Sequence, residues 1–313
     1  MTAAGKNTPQ APRQQPSRER ASASGHAPDS RSDIPTGSWI DRYPPRAWRP
    51  FLRLARADRP IGTWLLLWPC WWSASMAAAA QGQAPSVYLL VLFAIGALVM
   101  RGAGCTYNDV VDRDIDGEVA RTASRPIAAG LVSVKEGWAL LVGLSLVGLA
   151  VLLQLGFPAI WLGLISLGLV AAYPFMKRIT YWPQAWLGLT FNWGALVGWA
   201  AADHALAAPA LLLYVGGIAW TLGYDTIYAH QDKEDDLLIG VKSAALRLGS
   251  WTQPALVVFF LTALSLWTAA GWVAGLHAAY LIGVGAVALH FGWQILTLDI
   301  DDHQDCLTKF KAN

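Results

Sequence analysis

Two stretches of this chain, Gly137–Met176 and Ser250–Leu298, contain no Lys, Arg, Asp or Glu. One crossing of about 30 Å of hydrocarbon takes about 20 apolar residues, so each stretch is long enough for two crossings. The first is broken at Gly156-Phe157-Pro158 and the second near Gly275-Leu276-His277, so both read as helical hairpins in lipid. Composition agrees: 55% of the 313 residues are apolar, only 14% are charged, and there are 17 tryptophans. A soluble domain carries about 25% charged residues, which argues against an ordinary cytosolic enzyme. A net charge of +2 gives no electrostatic footprint for nucleic acid. The cysteines (Cys70, Cys105, Cys306) are scattered and suggest neither a disulfide scaffold nor a zinc site.

The fold class that follows is all-α, a polytopic transmembrane helical bundle. Residues 1–38 are a polar Ser, Ala, Pro, Gln and Arg tail, expected to be disordered. Residues 39–59 are basic and amphipathic and read as an interfacial segment. Residues 60–313 form the membrane domain. Eight spans are expected near 61–80, 86–107, 134–153, 157–176, 183–202, 208–230, 253–274 and 277–298. With the N-terminus cytoplasmic, the inner loops lie near 107–133, 177–182, 231–252 and after 299. All 23 Lys and Arg residues then fall on the inner side, Arg101 at its edge, as the positive-inside rule requires.

Two acidic clusters leave the membrane on that inner face. Asp109, Asp112 and Asp116 follow the second span at offsets 0, 3 and 7, spanning about 60° of a continuous helix at about 100° per residue. Asp225, Asp232 and Asp236 follow the sixth span and cover about 40°. Carboxylates so spaced repel one another, and a helix C-terminus is the wrong end for negative charge. A cation is expected to offset them, and Mg²⁺ suits hard oxygen ligands shared with substrate phosphates. Arg121, Arg125 and Lys135 follow the first cluster, and Lys242 and Arg247 the second, while Lys177 and Arg178 lie between. Cations beside carboxylates and Mg²⁺ are what a diphosphate needs, although positive-inside topology alone also places Lys and Arg there. Most tryptophans read as interfacial belt or packing residues, with a few available to stabilise a carbocation.

At these clusters the chain resembles the UbiA family of intramembrane aromatic prenyltransferases. Asn108, Asp109, Asp112 and Asp116 match its N-D-x-x-D-x-x-x-D motif, and Asp225, Tyr228, Ala229, Asp232 and Asp236 match its D-x-x-Y-A-x-x-D-x-x-x-D motif. Asp58-Arg59-Pro60-Ile61-Gly62-Thr63, Tyr173-Pro174-Phe175-Met176-Lys177-Arg178 and Ile239-Gly240-Val241-Lys242-Ser243 are similar to the 4-hydroxybenzoate polyprenyltransferase branch, which serves ubiquinone synthesis.

The resemblance implies a prenyl transferase that uses Mg²⁺, a polyprenyl diphosphate donor and 4-hydroxybenzoate as acceptor, in contact with the lipid bilayer. All six aspartates would be metal ligands, with Asp109, Asp112, Asp225 and Asp232 central to catalysis. Substrate contacts would come from Asn108, Arg121, Arg125, Lys242 and Tyr228. Arg178, with Arg59 as a second candidate, would take the benzoate carboxylate. The family resembles a nine-helix bundle, so the chain is expected to end before its last helix. A bacterial inner membrane is the expected location, with the mitochondrial inner membrane as the alternative. Two other readings are a relative acting on another acceptor, such as a naphthoate or homogentisate, and an ion or solute transporter. The transporter fits less well, because the acids cluster at one face and no comparable residues line a path to the other.

Overall fold

Helix boundaries in this chain fall where the sequence places breakers and caps. The structure, a computed structural model, describes residues 34–35, 37–118, 122–233, 237, 240 and 242–313, without the side chains of Lys177 and Asp232. Two short helices, α1 (Trp39–Arg42) and α2 (Arg49–Leu54), occupy the basic segment, tied by the Arg53–Asp41 ion pair and by Trp39 Nε1 donating to Ala57 O at 3.2 Å. The long helices follow: α3 (Ile61–Ala80), α4 (Val87–Val111), the short α5 (Arg113–Glu118), α6 (Val134–Leu152) and α7 (Phe157–Ile179). Then come α8 (Pro183–Phe191), α9 (Gly194–Asp203), α10 (Ala208–Ala229), the short α11 (Ala244–Leu248), α12 (Thr252–Val273), α13 (Ala278–Thr297) and α14 (His303–Ala312). There is no strand among the described residues.

Both uncharged stretches fold as hairpins. The first turns at Gly156, whose φ of 86° is open to glycine, and Pro158 starts α7, where its missing N–H costs nothing. The second turns at Gly275, with φ 72°. Ser133 caps α6 reciprocally with Glu136, the Ser133 N–H donating to Glu136 Oε2 at 2.8 Å.

Six helical stretches are long and apolar enough to cross a membrane: Val87–Val111, Val134–Leu152, Phe157–Met176, Ala208–Ala229, Ala244–Val273 and Ala278–Thr297. The other two expected spans are helical but differ in character. Helix α3 is set apart by its tryptophans, Trp64, Trp68, Trp71 and Trp72, and by Pro69 in its interior. The stretch read as one helix over 183–202 is two, α8 and α9. Asn192 sits at the break, its Nδ2 donating to Gly188 O at 3.0 Å and to Thr221 Oγ1 at 2.8 Å, and Trp193 Nε1 donates across to Leu162 O at 2.8 Å. Side-chain bonds of this kind compete with the helical ladder.

Helix α10, which carries the second acidic motif, lies at the centre: 67% of its apolar window is buried, against 11% for the windows in α7 and α13. It packs against α8, α9, α12 and α14. Trp72, Trp220 and Trp267 meet around it with ring centroids 5.4–5.9 Å apart. Phe260 and Phe291 stack at 4.1 Å, joining α12 to α13. The C-terminal residues, expected to lead into a further helix, form α14, whose Phe310 ring lies 4.4 Å from that of Tyr228.

Helix α3, which leads to the site, is held by close backbone approach to α9. A Cβ on Gly198 would stand 2.5 Å from Cys70 O and 3.2 Å from Cys70 C. The obstruction is backbone and cannot swing aside, so Gly198→Ala is expected to lower stability by about 1–3 kcal/mol. Gly168 of α7 has nothing within 4 Å of such a Cβ, so Gly168→Ala is expected to be neutral or stabilising by up to about 1 kcal/mol. Thermal unfolding of the two purified variants checks this, and equal melting temperatures would contradict the close-packing account.

Candidate active site at the C-terminal ends of α4 and α10

The first acidic motif straddles a helix end. Asn108 and Asp109 lie in the last turn of α4, Asp112 is its C-cap, and Asp116 falls in α5. The expected continuous stripe is therefore interrupted after Val111, although Asp116 N–H still donates to Asp112 O at 2.8 Å and keeps the turns in register. The three carboxylates are buried, with exposures of 1%, 0% and 4% for Asp109, Asp112 and Asp116. Buried charge is tolerated only when paired, and arginines from three distant parts of the chain supply the pairing.

Arg125 Nη1 lies 2.9 Å from Asp116 Oδ2 and 3.3 Å from Asp109 Oδ1. Arg178, at the end of α7, places Nη2 2.9 Å from Asp112 Oδ1 and its guanidinium over the Phe175 ring. Arg56 Nη2 lies 2.8 Å from Asp109 Oδ1. Asp109 Oδ2, by contrast, is buried with no hydrogen-bond partner among the described residues. A carboxylate oxygen left in that state is the kind of hard donor that Mg²⁺ completes with phosphate oxygens and water. Among the described residues no three acidic, His or Cys side chains converge as a ready chelate.

The second motif is partly described. Asp225, half-buried, and Tyr228 lie in α10, and His230–Asp232 continue as a 3₁₀ turn. The side chain of Asp232 and all of Asp236 lie outside the described residues, as does Arg121. Tyr173 of α7 lies in the electrostatic field of both Asp225 and Asp112, and of Arg101.

The other expected residues are placed unevenly. Arg59 pairs with Asp58 at 3.4 Å at the start of α3. Lys242 is turned to the α7–α8 connection, donating to Ile179 O at 3.1 Å and lying over the Tyr181 ring, so it is not joined to the first motif's carboxylates. Arg101, which falls inside α4 as in the expected 86–107 span, lies eight residues before Asp109, about 12 Å along the helix. Its guanidinium packs where Gly62 leaves room and lies over the Phe191 ring, and its Nε is buried without a partner among the described residues. A lone cation within an apolar helix is a sequence signal for function.

Sequence reasoning missed Arg56 altogether. Nothing local separates it from the other arginines of the basic segment.

His230 closes the inner end of α10. Its Nε2 lies 3.1 Å from Thr252 Oγ1, whose hydroxyl donates to Gly249 O at 2.8 Å, so Nε2 carries the proton. Burial pulls the His230 pKa down from 6.5 to about 4, Lys233 adding to the shift and Asp301 opposing it. The folded protein thus holds this ring neutral where the unfolded chain takes up a proton. Stability is expected to fall as pH drops from about 6.5 towards about 4. His230→Gln should flatten that segment of a stability–pH curve measured by chemical unfolding. A second outcome follows from the ion pairs. Arg125→Met removes the guanidinium shared by Asp109 and Asp116 and should cost about 1–3 kcal/mol, whereas Lys242→Met should leave unfolding unchanged.

Comparison with known proteins agrees with this geometry. The model of the UbiA prenyltransferase family matches residues 66–313. The chain is 49% identical over 281 residues to the mitochondrial 4-hydroxybenzoate polyprenyltransferase of Caenorhabditis elegans, covering 90% of this chain and 79% of that protein. It is 52% identical over 273 residues to the human mitochondrial protein of the same name, covering 86% and 72%. In fold it is similar to a UbiA homologue from Aeropyrum pernix K1, with TM-score 0.67 and 26% identity over 79% of this chain and 92% of that one. It is also similar to a UbiA homologue from Archaeoglobus fulgidus solved with GPP and Mg²⁺, with TM-score 0.63 and 16% identity over 84% and 97%. With a family match over most of its length and two acidic motifs at one end of a helical bundle, the chain belongs to the UbiA prenyltransferase family.

Proposed function

We propose that the protein transfers a polyprenyl group from polyprenyl diphosphate to 4-hydroxybenzoate, at the ring carbon ortho to the hydroxyl, as in ubiquinone biosynthesis. The observation that carries this reading is the 49–52% identity, over 86–90% of the chain, to proteins bearing that name. The arginine-held carboxylates at the inner helix ends supply the matching chemistry. Asp109, through Oδ2, and Asp112 would hold one Mg²⁺ on the diphosphate, Asp116 supporting Asp109 through their shared Arg125, and Asp225, Asp232 and Asp236 would hold a second. Bound there, Mg²⁺ offsets the charge that grows on the departing diphosphate.

The chain's own groups do the rest. Arg125, already between two carboxylates, together with Arg121 and Lys242, contacts diphosphate oxygens, with Asn108 beside them. The allylic C–O bond breaks, its electron pair leaving with the diphosphate. The ring carbon of the acceptor bonds to the resulting cation, and the ring proton passes to the Asp225 carboxylate, Tyr228 helping to orient the phenol. The acceptor's carboxylate meets Arg178 or Arg59. Arg101, deeper in α4 with a buried unpartnered Nε, is a third cation for that role. An apolar surround excludes water from the carbocation.

We place eight spans across the bilayer, the six apolar helices with α3 and the α8–α9 pair. The N-terminus and the acidic motifs then share the cytoplasmic face, or the matrix face in a mitochondrion. A bacterial inner membrane is the first reading. The mitochondrial names of the relatives favour the second, the mitochondrial inner membrane.

Asp109→Asn and Asp232→Asn are each expected to abolish transfer, measured by mass spectrometry of lipids from membranes given Mg²⁺, donor and 4-hydroxybenzoate. Undiminished product from both variants would remove the metal–diphosphate reading. Product formed only from another phenolic acid would move the acceptor assignment to a related enzyme.

A further inference from the structure

Helix α2 ends in a Schellman turn: Ala57 N–H donates to Leu52 O at 3.0 Å, and Arg56 N–H donates to Arg53 O at 3.0 Å. The residue at the left-handed position of such a turn is ordinarily glycine, because a Cβ there is strained. Here it is Arg56, with φ 58°. Only one other non-glycine among the described residues, His204, has positive φ. Arg56 is also buried, at 8% exposure, and its guanidinium ends on Asp109 Oδ1. A side chain set against its backbone preference, buried, and paired with the first aspartate of the motif is placed there for its charge.

We infer that Arg56 is a built-in counter-ion of the first motif that makes divalent-cation binding there depend on the diphosphate. This rests on the reading of that motif as the Mg²⁺–diphosphate site. Among the described residues, three buried carboxylates (Asp109, Asp112, Asp116) face three guanidinium groups (Arg56, Arg125, Arg178). Before substrate arrives, the cluster is therefore neutralised from within the chain. A bare divalent ion approaching Asp109 Oδ2 meets a carboxylate already offset on its other oxygen, with the Arg56 charge a few ångströms away repelling it. A diphosphate brings negative charge that metal and arginines share. Cation and diphosphate then bind together, each strengthening the other by the same factor. Arg56 is a positioning residue here: it acts through Asp109 and keeps the motif folded in the metal-free state.

Glycine at position 56 separates this role from simple tethering, since it suits the left-handed backbone while deleting the charge. The test titrates Mn²⁺ by electron paramagnetic resonance against the full-length purified chain in nanodiscs, with and without geranyl thiolodiphosphate, which resists ionisation. In the native protein, Mn²⁺ affinity should be about tenfold or more tighter with the diphosphate than without. In Arg56→Gly the diphosphate-free affinity should rise by about tenfold, shrinking that dependence, and Arg56→Lys should restore it. Should the glycine variant not yield monodisperse protein, Arg56→Gln reads the same titration.

Diphosphate-free affinity that is unchanged or weaker once the Arg56 charge is gone would overturn the counter-ion assignment while leaving the site itself intact. If the native protein takes up no Mn²⁺ even with the diphosphate, the site reading itself fails, and this inference with it.

Discussion

Three buried carboxylates at the C-terminal end of α4 are the constraint to which the rest of the architecture answers. Removing a carboxylate from water costs several kcal/mol unless a cation and hydrogen bonds replace the hydration. Here the replacements come from the segment after α2, from the loop after α5 and from the end of α7. Elements far apart in sequence are thereby tied to one point: Arg56 lies 53 residues from Asp109, and Arg178 lies 66 from Asp112. A cluster of this kind rigidifies when fully satisfied and is costly when one partner is lost. That is why stability and chemistry are coupled at this end of the bundle.

The packing of the bundle serves the same placement. In lipid, helices gain little from burying apolar surface against each other, and small residues that let backbones approach become the adhesive. Gly194 and Gly198 bring α9 against Cys70 of α3, and Gly62 makes room for the Arg101 guanidinium. Aromatic contacts among Trp72, Trp220 and Trp267 then fix α10 between α3 and α12. Tyr224, 1% exposed, sits directly before Asp225 at the inner end of that assembly. The second motif is thus presented by the most buried of the six apolar spans, and α14 lays Phe310 against Tyr228 beside it.

Much of this was legible in the residues, for physical reasons that differ from place to place. The apolar helix near 208–230 could be read because charge is excluded from the hydrocarbon, and both hairpin turns because Gly156 and Gly275 mark them. The acidic motifs were visible because rows of carboxylates at a helix end are costly without a purpose. The break between α8 and α9 was not visible, since Asn192 disrupts the helix through a bond to Thr221, 29 residues away. Nor was the partner of each carboxylate. The inner loops hold many arginines, and only the folded chain shows that Arg56, Arg125 and Arg178 are selected while Lys242 turns elsewhere.

The metal–diphosphate reading requires both acidic motifs to act on one diphosphate. A structure of the chain determined with Mn²⁺ and geranyl thiolodiphosphate, its metal located by anomalous scattering, tests this most directly. The expected result is a metal on Asp109 Oδ2 and another on the second motif, with the diphosphate between them and Arg125 against its oxygens. Metal at only one motif, with the diphosphate out of reach of the other, would contradict it.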